Sequence, residues 1–183
     1  MTTQHHLWKI LGDNPRLLRQ QGNIRVYLWE DEECKGMGVL CTLGMSQRVQ
    51  PLDKKDHCPS KEPRTELLSY CHLSDANILG ELLLDLTEYP FKNQRHLFWW
   101  QNLPLGRQLS PGSVLDGLLL SMPPYSADEV TFNNSDGRID LVWVVPISSS
   151  ELAYCRLNGI EAFEILLEKT GVDIADVNRA AIV

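Results

Sequence analysis

The chain has 183 residues, of which 43% are hydrophobic and 22% charged, with a mean hydropathy of −0.20 and a formal net charge of −7. This composition suits one folded domain with a sizeable core and excludes disorder as a whole-chain description. No apolar run approaches the roughly 20 residues of a membrane helix, and a pI near 5.2 without a clustered basic surface argues against nucleic acid as a partner.

Met1 to His6 has neither the cationic start nor the apolar segment of a secretory signal, so the expected compartment is the cytoplasm. Residues 1–23 read as an N-terminal helical segment with a broken pattern: Leu7, Ile10 and Leu11 form a stripe, Gly12 to Pro15 interrupts it, and Leu17 and Leu18 follow. Ile24, Val26 and Leu28 then alternate with Arg25, Tyr27 and Trp29 as in a strand. An acidic, glycine-containing turn (Glu30 to Gly36) leads into Met37 to Leu43, which predicts a hairpin. Residues 47–64, with Pro51, Pro59, Pro63 and the mixed charge run from Asp53 to Lys61, read as a loop.

Glu66 to Leu73 reads as a strand. A helix is expected next, with Ser74 as N-cap, Ile78, Leu79, Leu82, Leu83 and Leu86 on its apolar face, and Pro90 as its end. His96 to Leu103, Leu115 to Met122 and Glu129 to Phe132 are strand-like, and Asn134 to Gly137 supplies a turn into Ile139 to Ile147. That last run is nearly continuous in apolar residues, which places it centrally in a sheet with both faces covered. Two helices are expected after it, capped by Ser148 with Glu151 and by Asn158 with Glu161; Gly171 is placed to end the second. Strands that mostly follow one another through turns predict a single α+β domain over 1–183, with a mixed, largely antiparallel β-sheet and helices packed on it.

The obvious catalytic signatures (a G-x-S-x-G elbow, H-E-x-x-H, a Walker loop) are missing. Gly36-Met37-Gly38 begins like a dinucleotide fingerprint, but Cys41 holds the third glycine's position and a strand follows instead of a helix. His57-Cys58 and Cys71-His72 offer four zinc-ligand types, yet neighbours on a strand point to opposite faces, so Cys71 and His72 do not face one metal together. Five cysteines at irregular spacing make no disulfide framework; Cys41, Cys71 and Cys155 read as core residues, Cys34 and Cys58 as candidate exposed thiols. Glu30 to Glu33 lacks the alternating spacing of a calcium loop and reads as a solvated hairpin tip. The aromatic features that bear on binding are Trp99-Trp100 and Tyr125: strand alternation turns one of the two tryptophans outward, unless helices cover both faces and bury both.

Several segments together resemble the suppressor-of-fused domain. These are Thr42-Leu43-Gly44-Met45-Ser46 closing a hairpin strand, Arg64-Thr65-Glu66-Leu67 opening another, Phe98 to Gly106, Leu141 to Ile147, and Gly159-Ile160-Glu161-Ala162-Phe163. The resemblance covers roughly residues 24–180 in family order. Animal members bind and restrain Gli-type transcription factors and carry a further C-terminal region that this chain is too short to contain. Shorter members are bacterial, and the resemblance implies an immunity protein that neutralises a toxin. The expected function is therefore non-catalytic protein binding, without cofactor or metal, toward another protein such as a basic toxin domain. Candidate contact residues are Gly44, Met45, Ser46, Trp99, Trp100 and Tyr125, with a tight turn as the alternative reading of Gly44 to Ser46. A Cys/His-dependent hydrolase or metal-dependent enzyme is the rival, and a scaffold that adds a peptide strand to its sheet edge is a third reading.

Overall fold

The computed structural model describes residues 2–52 and 60–183. In β2 (Ile24–Glu30) the alternation seen in the sequence buries Ile24, Val26 and Leu28 on one face and turns Tyr27 and Trp29 to the other. β2 pairs antiparallel with β1 (Arg16–Gln21) and with β3 (Met37–Leu43), which pairs antiparallel with β4 (Thr65–His72). β4 runs parallel to β8 (Gly137–Ser148), Thr65 standing opposite Asp140 and Leu68 opposite Trp143. Beyond β8 come β6 (Leu115–Ser121) and then β5 (Gln101–Pro104), while β7 (Thr131–Asn134) forms a hairpin with β8. The sheet is mixed and mostly antiparallel, as expected, with order β1-β2-β3-β4-β8-β6-β5.

Helices cover both faces, and β8 shows why its sequence is apolar throughout. Val142 and Val144 enter the largest core cluster, beneath Leu79, Leu82, Leu83 and Leu86 of α2 (Ala76–Asn93). Ile139 and Leu141 point the other way, into a cluster with Leu7 of α1 (Thr3–Leu11) and Trp29. Val145 and Ile147 join Leu152 and Cys155 of α4 (Ser149–Asn158) and Phe163 of α5 (Ile160–Thr170). Burial of these aliphatic side chains, at about 25 cal/mol per Å² of apolar surface, drives the layers together. Among the described residues no helix is long and apolar enough to cross a membrane.

Some local expectations give way to tertiary context. Arg16–Gln21 is an edge strand rather than the second part of a helix: Gly12, at φ 108°, ends α1, and β1 exposes so much of itself that no period-two signal survives. α2 begins at Ala76 with Asp75 in the capping position, so Ser74 is not the cap, and the helix passes through Pro90 to Asn93. Pro90 is buried within the last turn, where packing outweighs the lost amide bond; Gln94, at φ 52°, closes the helix by donating its backbone N–H to the Pro90 carbonyl. Residues 96–100 are not strand, and the segment expected as a strand at Glu129 to Phe132 divides into α3 (Ala127–Val130) and β7. Asn158 is the last residue of α4, its amide bonded to the Tyr154 carbonyl, and Gly159 takes the cap of α5. Ser148 and Glu151 do form the expected capping box, and Gly171 closes α5 at φ 60°.

Candidate protein-binding surface

The register of the strands lays a row of side chains across the face that carries α1 and α5. Trp29 stands opposite Val39 and Val39 opposite Tyr70; the Tyr70 ring meets Trp143 edge-on at 5.3 Å, and Trp143 stands opposite Ser121. α1 closes one end, its Trp8 meeting Trp29 edge-on, and α5 stands over the other with Glu164, Leu167 and Glu168. Between them Val39, Tyr70 and Trp143 remain half-buried, and Val39 and Trp143 floor an open groove. Tyr125 divides it into hollows of about 680 and 630 Å³ and lines both. The segment Met122 to Tyr125 folds back on itself through a bond from the Tyr125 amide to the Pro123 carbonyl, and the Tyr70 hydroxyl donates to that of Tyr125 at 3.1 Å. Burial pushes both phenols above their usual range, so they stay neutral donors and acceptors.

Trp100 forms part of the second hollow, with Met122, Pro123, Trp143 and Leu167. Its backbone is left-handed at φ 66°, which a bulky residue rarely adopts, and its side chain is strongly presented, the residue being 49% exposed. The sheet imposes this geometry: the Trp100 amide donates to the Leu120 carbonyl at 2.8 Å just before Gln101 opens β5 opposite Leu120. Trp99 does the opposite work. Its indole N–H donates to the Leu141 carbonyl at 2.7 Å and its ring lies against Phe98, tying the turn to β8. One tryptophan of the pair is thus presented and the other is fastened, through a left-handed turn and not through strand alternation.

Gly44, Met45 and Ser46 lie elsewhere and are buried, Met45 at 1% and Ser46 at 2% exposure. Beneath them sits Glu66, itself wholly buried, which accepts hydrogen bonds from the Thr42 hydroxyl, the Gly44 and Ser46 amides and the Ser46 hydroxyl at 2.6 to 3.0 Å. Burial raises the Glu66 carboxyl above its ordinary value, and these four donors only partly offset that. Gly44 needs its φ of 110°, and a Cβ there would lie 2.5 Å from the Asn23 carbonyl oxygen. This is an internal fastening, Met45 and Ser46 being buried toward the core and outside the groove. Glu66 was legible in principle, as a carboxylate inside an otherwise apolar strand.

Among the described residues the groups suited to catalysis are dispersed. Burial pushes the Cys41 thiol well up, Cys71 to about 12 and Cys155 to about 11. His72 is bonded to Asp173 at 2.6 Å, away from its neighbour Cys71, which is buried on the other face; His57 and Cys58 lie outside the described residues. No three His, Cys, Asp or Glu side chains converge as a metal site among the described residues. At the hairpin tip Asp31 accepts from the Glu33 and Cys34 amides, a turn-stabilising role.

A family model described as suppressor of fused protein (SUFU) matches residues 20–180. Among solved structures, the chain resembles a SUFU homologue from Neisseria gonorrhoeae at 18% identity and a TM-score of 0.64, over 98% of this chain and 94% of that one. It resembles a chain of the Sufu–Fu complex at 16% identity and a TM-score of 0.69, over 97% and 89%. Drosophila Suppressor of Fused matches at 18% identity and a TM-score of 0.61, over 86% of this chain and 42% of its own length. No curated protein matches the chain. At these identities the structural likeness speaks for the fold alone.

Proposed function

The chain belongs to the suppressor-of-fused family, and on that premise we propose that it is a non-catalytic protein-binding domain that docks a partner protein in the groove between α1 and α5. The observation that carries the reading is Trp100: a half-exposed indole held in a left-handed backbone beside Met122, Trp143 and Leu167. Such strain persists only where the surroundings impose it and clusters at functional positions, and a rigid, presented tryptophan is the commonest kind of interface anchor. A relative of the same fold is found in a complex between Sufu and Fu, which supports a binding role. A Cys/His hydrolase would need a thiolate, which the buried thiols of Cys41, Cys71 and Cys155 do not supply, since burial holds them protonated; Cys34 is the exposed thiol among the described residues.

The role that best suits the chain is that of an immunity protein that occludes the functional surface of a toxin. A net charge of −7 favours fast, salt-sensitive capture of a basic partner such as a nuclease. The test is affinity isolation with the full chain and with Trp100→Gly, followed by co-expression of any captured protein with each form. The reading expects a protein held by the wild type and released by the variant, whose toxicity to cells only the wild type relieves. Equal capture by both forms would refute docking in the groove, and a captured protein harmless to cells would refute the immunity role.

A further inference from the structure

The wall of the groove is far more acidic than the rest of the chain. Among the described residues, Asp13, Glu30, Asp31 and Glu32 line the first hollow and Glu164 and Glu168 the second, against one cation, Arg16. Over the whole sequence 24 acidic residues face 17 basic ones, so this six-to-one ratio is local. Arg16 stands 3.7 Å from Glu30 with both side chains exposed, an arrangement that neutralises little. Asp31 is engaged by backbone amides and Glu164 by the Ser121 hydroxyl, whereas Asp13, Glu32 and Glu168 have no hydrogen-bond or ion-pair partner among the described residues. Between the two acidic ends the floor is apolar and aromatic: Val39, Tyr125 and Trp143, with Trp100 and Met122 beside it.

Carboxylates at the rim of a hollow with low-dielectric walls focus negative potential into it. That field repels phosphates and acidic peptides and draws in cations. Each hollow alone falls within the usual small-molecule size of about 300–1,000 Å³, but the two lie in tandem and share Tyr125, so an elongated occupant suits the pair better than a compact one.

Resting on the groove being the docking surface, we infer that its occupant is a basic segment of the partner protein, with lysine or arginine side chains at both acidic ends and an aromatic or aliphatic side chain between them against Trp100 and Tyr125. The guanidinium or ammonium groups meet Glu32 and Asp13 at one end and Glu168 at the other, and the apolar residue fills the middle.

A random peptide display library panned on the full chain tests this, with Trp100→Gly, Glu32→Lys and Glu168→Lys as comparisons. Glu32 and Glu168 are exposed and unpaired, so their reversal spares the fold, which an unchanged urea midpoint confirms. The inference expects enriched peptides with lysine or arginine flanking an apolar residue. Binding weakens roughly fivefold per reversed charge, and the effect of reversal largely vanishes between about 0.05 M and about 0.5 M salt. Peptides that need Trp100 but are neutral or acidic, or indifferent to the reversals, overturn the inference and leave the docking reading standing. Absence of any Trp100-dependent binder overturns both.

Discussion

Replacing Arg179 by methionine would strand a buried charge, and the structure says how much that should matter. Glu151 is wholly buried at the start of α4 and Arg179 is 4% exposed in the C-terminal tail. The guanidinium grips the carboxylate with two bonds, Nη1 to Oε1 at 2.7 Å and Nη2 to Oε2 at 2.9 Å, and gives a third to the Pro146 carbonyl of β8. The Ser148 and Ile182 amides also donate to Glu151. Two charge-assisted bonds at about 1.5–3 kcal/mol each agree with the roughly 3–5 kcal/mol lost when one partner of a buried pair is removed. Arg179 Nε is buried without a partner, and its removal offsets part of the loss. The expected cost of Arg179→Met at pH 7 is therefore about 3 kcal/mol, a urea midpoint lower by roughly 1–2 M.

The pH dependence supplies an independent check. Burial pushes the Glu151 carboxyl up, but Arg179 and the two amides more than compensate and hold it below its ordinary value. A carboxyl held down in the folded state contributes its stability above that ordinary value and loses it as pH falls through the lowered one. The gap between wild type and variant should thus narrow from pH 7 toward about pH 4, where the unpaired carboxyl takes up a proton. Fluorescence-monitored urea unfolding measures the gap, and amide exchange reports loosening over residues 172–183, which include Val172 and Ile174 of the groove wall. A cost under about 1 kcal/mol, a gap indifferent to pH, or unchanged exchange in the tail would refute the reasoning.

Trp100→Gly should relieve the left-handed strain and leave stability within about 1 kcal/mol of wild type by urea unfolding, while abolishing groove-dependent binding. Gly44→Ala should destabilise by about 1–3 kcal/mol in the same assay, because its Cβ meets the Asn23 carbonyl oxygen at a φ of 110°. Of Cys34, Cys41, Cys71 and Cys155, native-state alkylation read by mass spectrometry should modify Cys34 alone, since the other three are buried thiols held protonated.

The parts of the fold legible in the sequence are those in which one local pattern met no competitor. Ile24, Val26 and Leu28 alternate because one face of β2 packs on α2, and the unbroken apolar run of β8 follows from clusters on both of its sides. The Ser148–Glu151 cap is a contact within one turn, hence readable. β1 escaped notice because an exposed edge strand carries no burial period, and Pro90 because packing of α2 outweighs the cost of a proline in its last turn. Of the candidate contact residues, Trp100 and Tyr125 come together in the groove, whereas Gly44 to Ser46 turn inward onto Glu66. Trp143, Leu167, Ile174 and Glu168 reach the groove from β8, α5 and the tail. That juxtaposition depends on topology, and no local spacing announces it.

The parallel seam between β4 and β8 has a consequence for synthesis on the ribosome. The hydroxyl of Ser69 donates to the carbonyl of Val144 across 75 residues of chain, and every pairing in that seam is comparably remote. Until β8 has emerged, the meander from β1 to β4 ends in a bare row of peptide groups on an apolar strand, the kind of border that recruits foreign strands. Closing so long a loop is also slow. The nascent protein is therefore most prone to aggregate in the interval between translation of His72 and of Ser148, and substitutions that delay the seam should lower yield of soluble protein more than their effect on final stability would suggest.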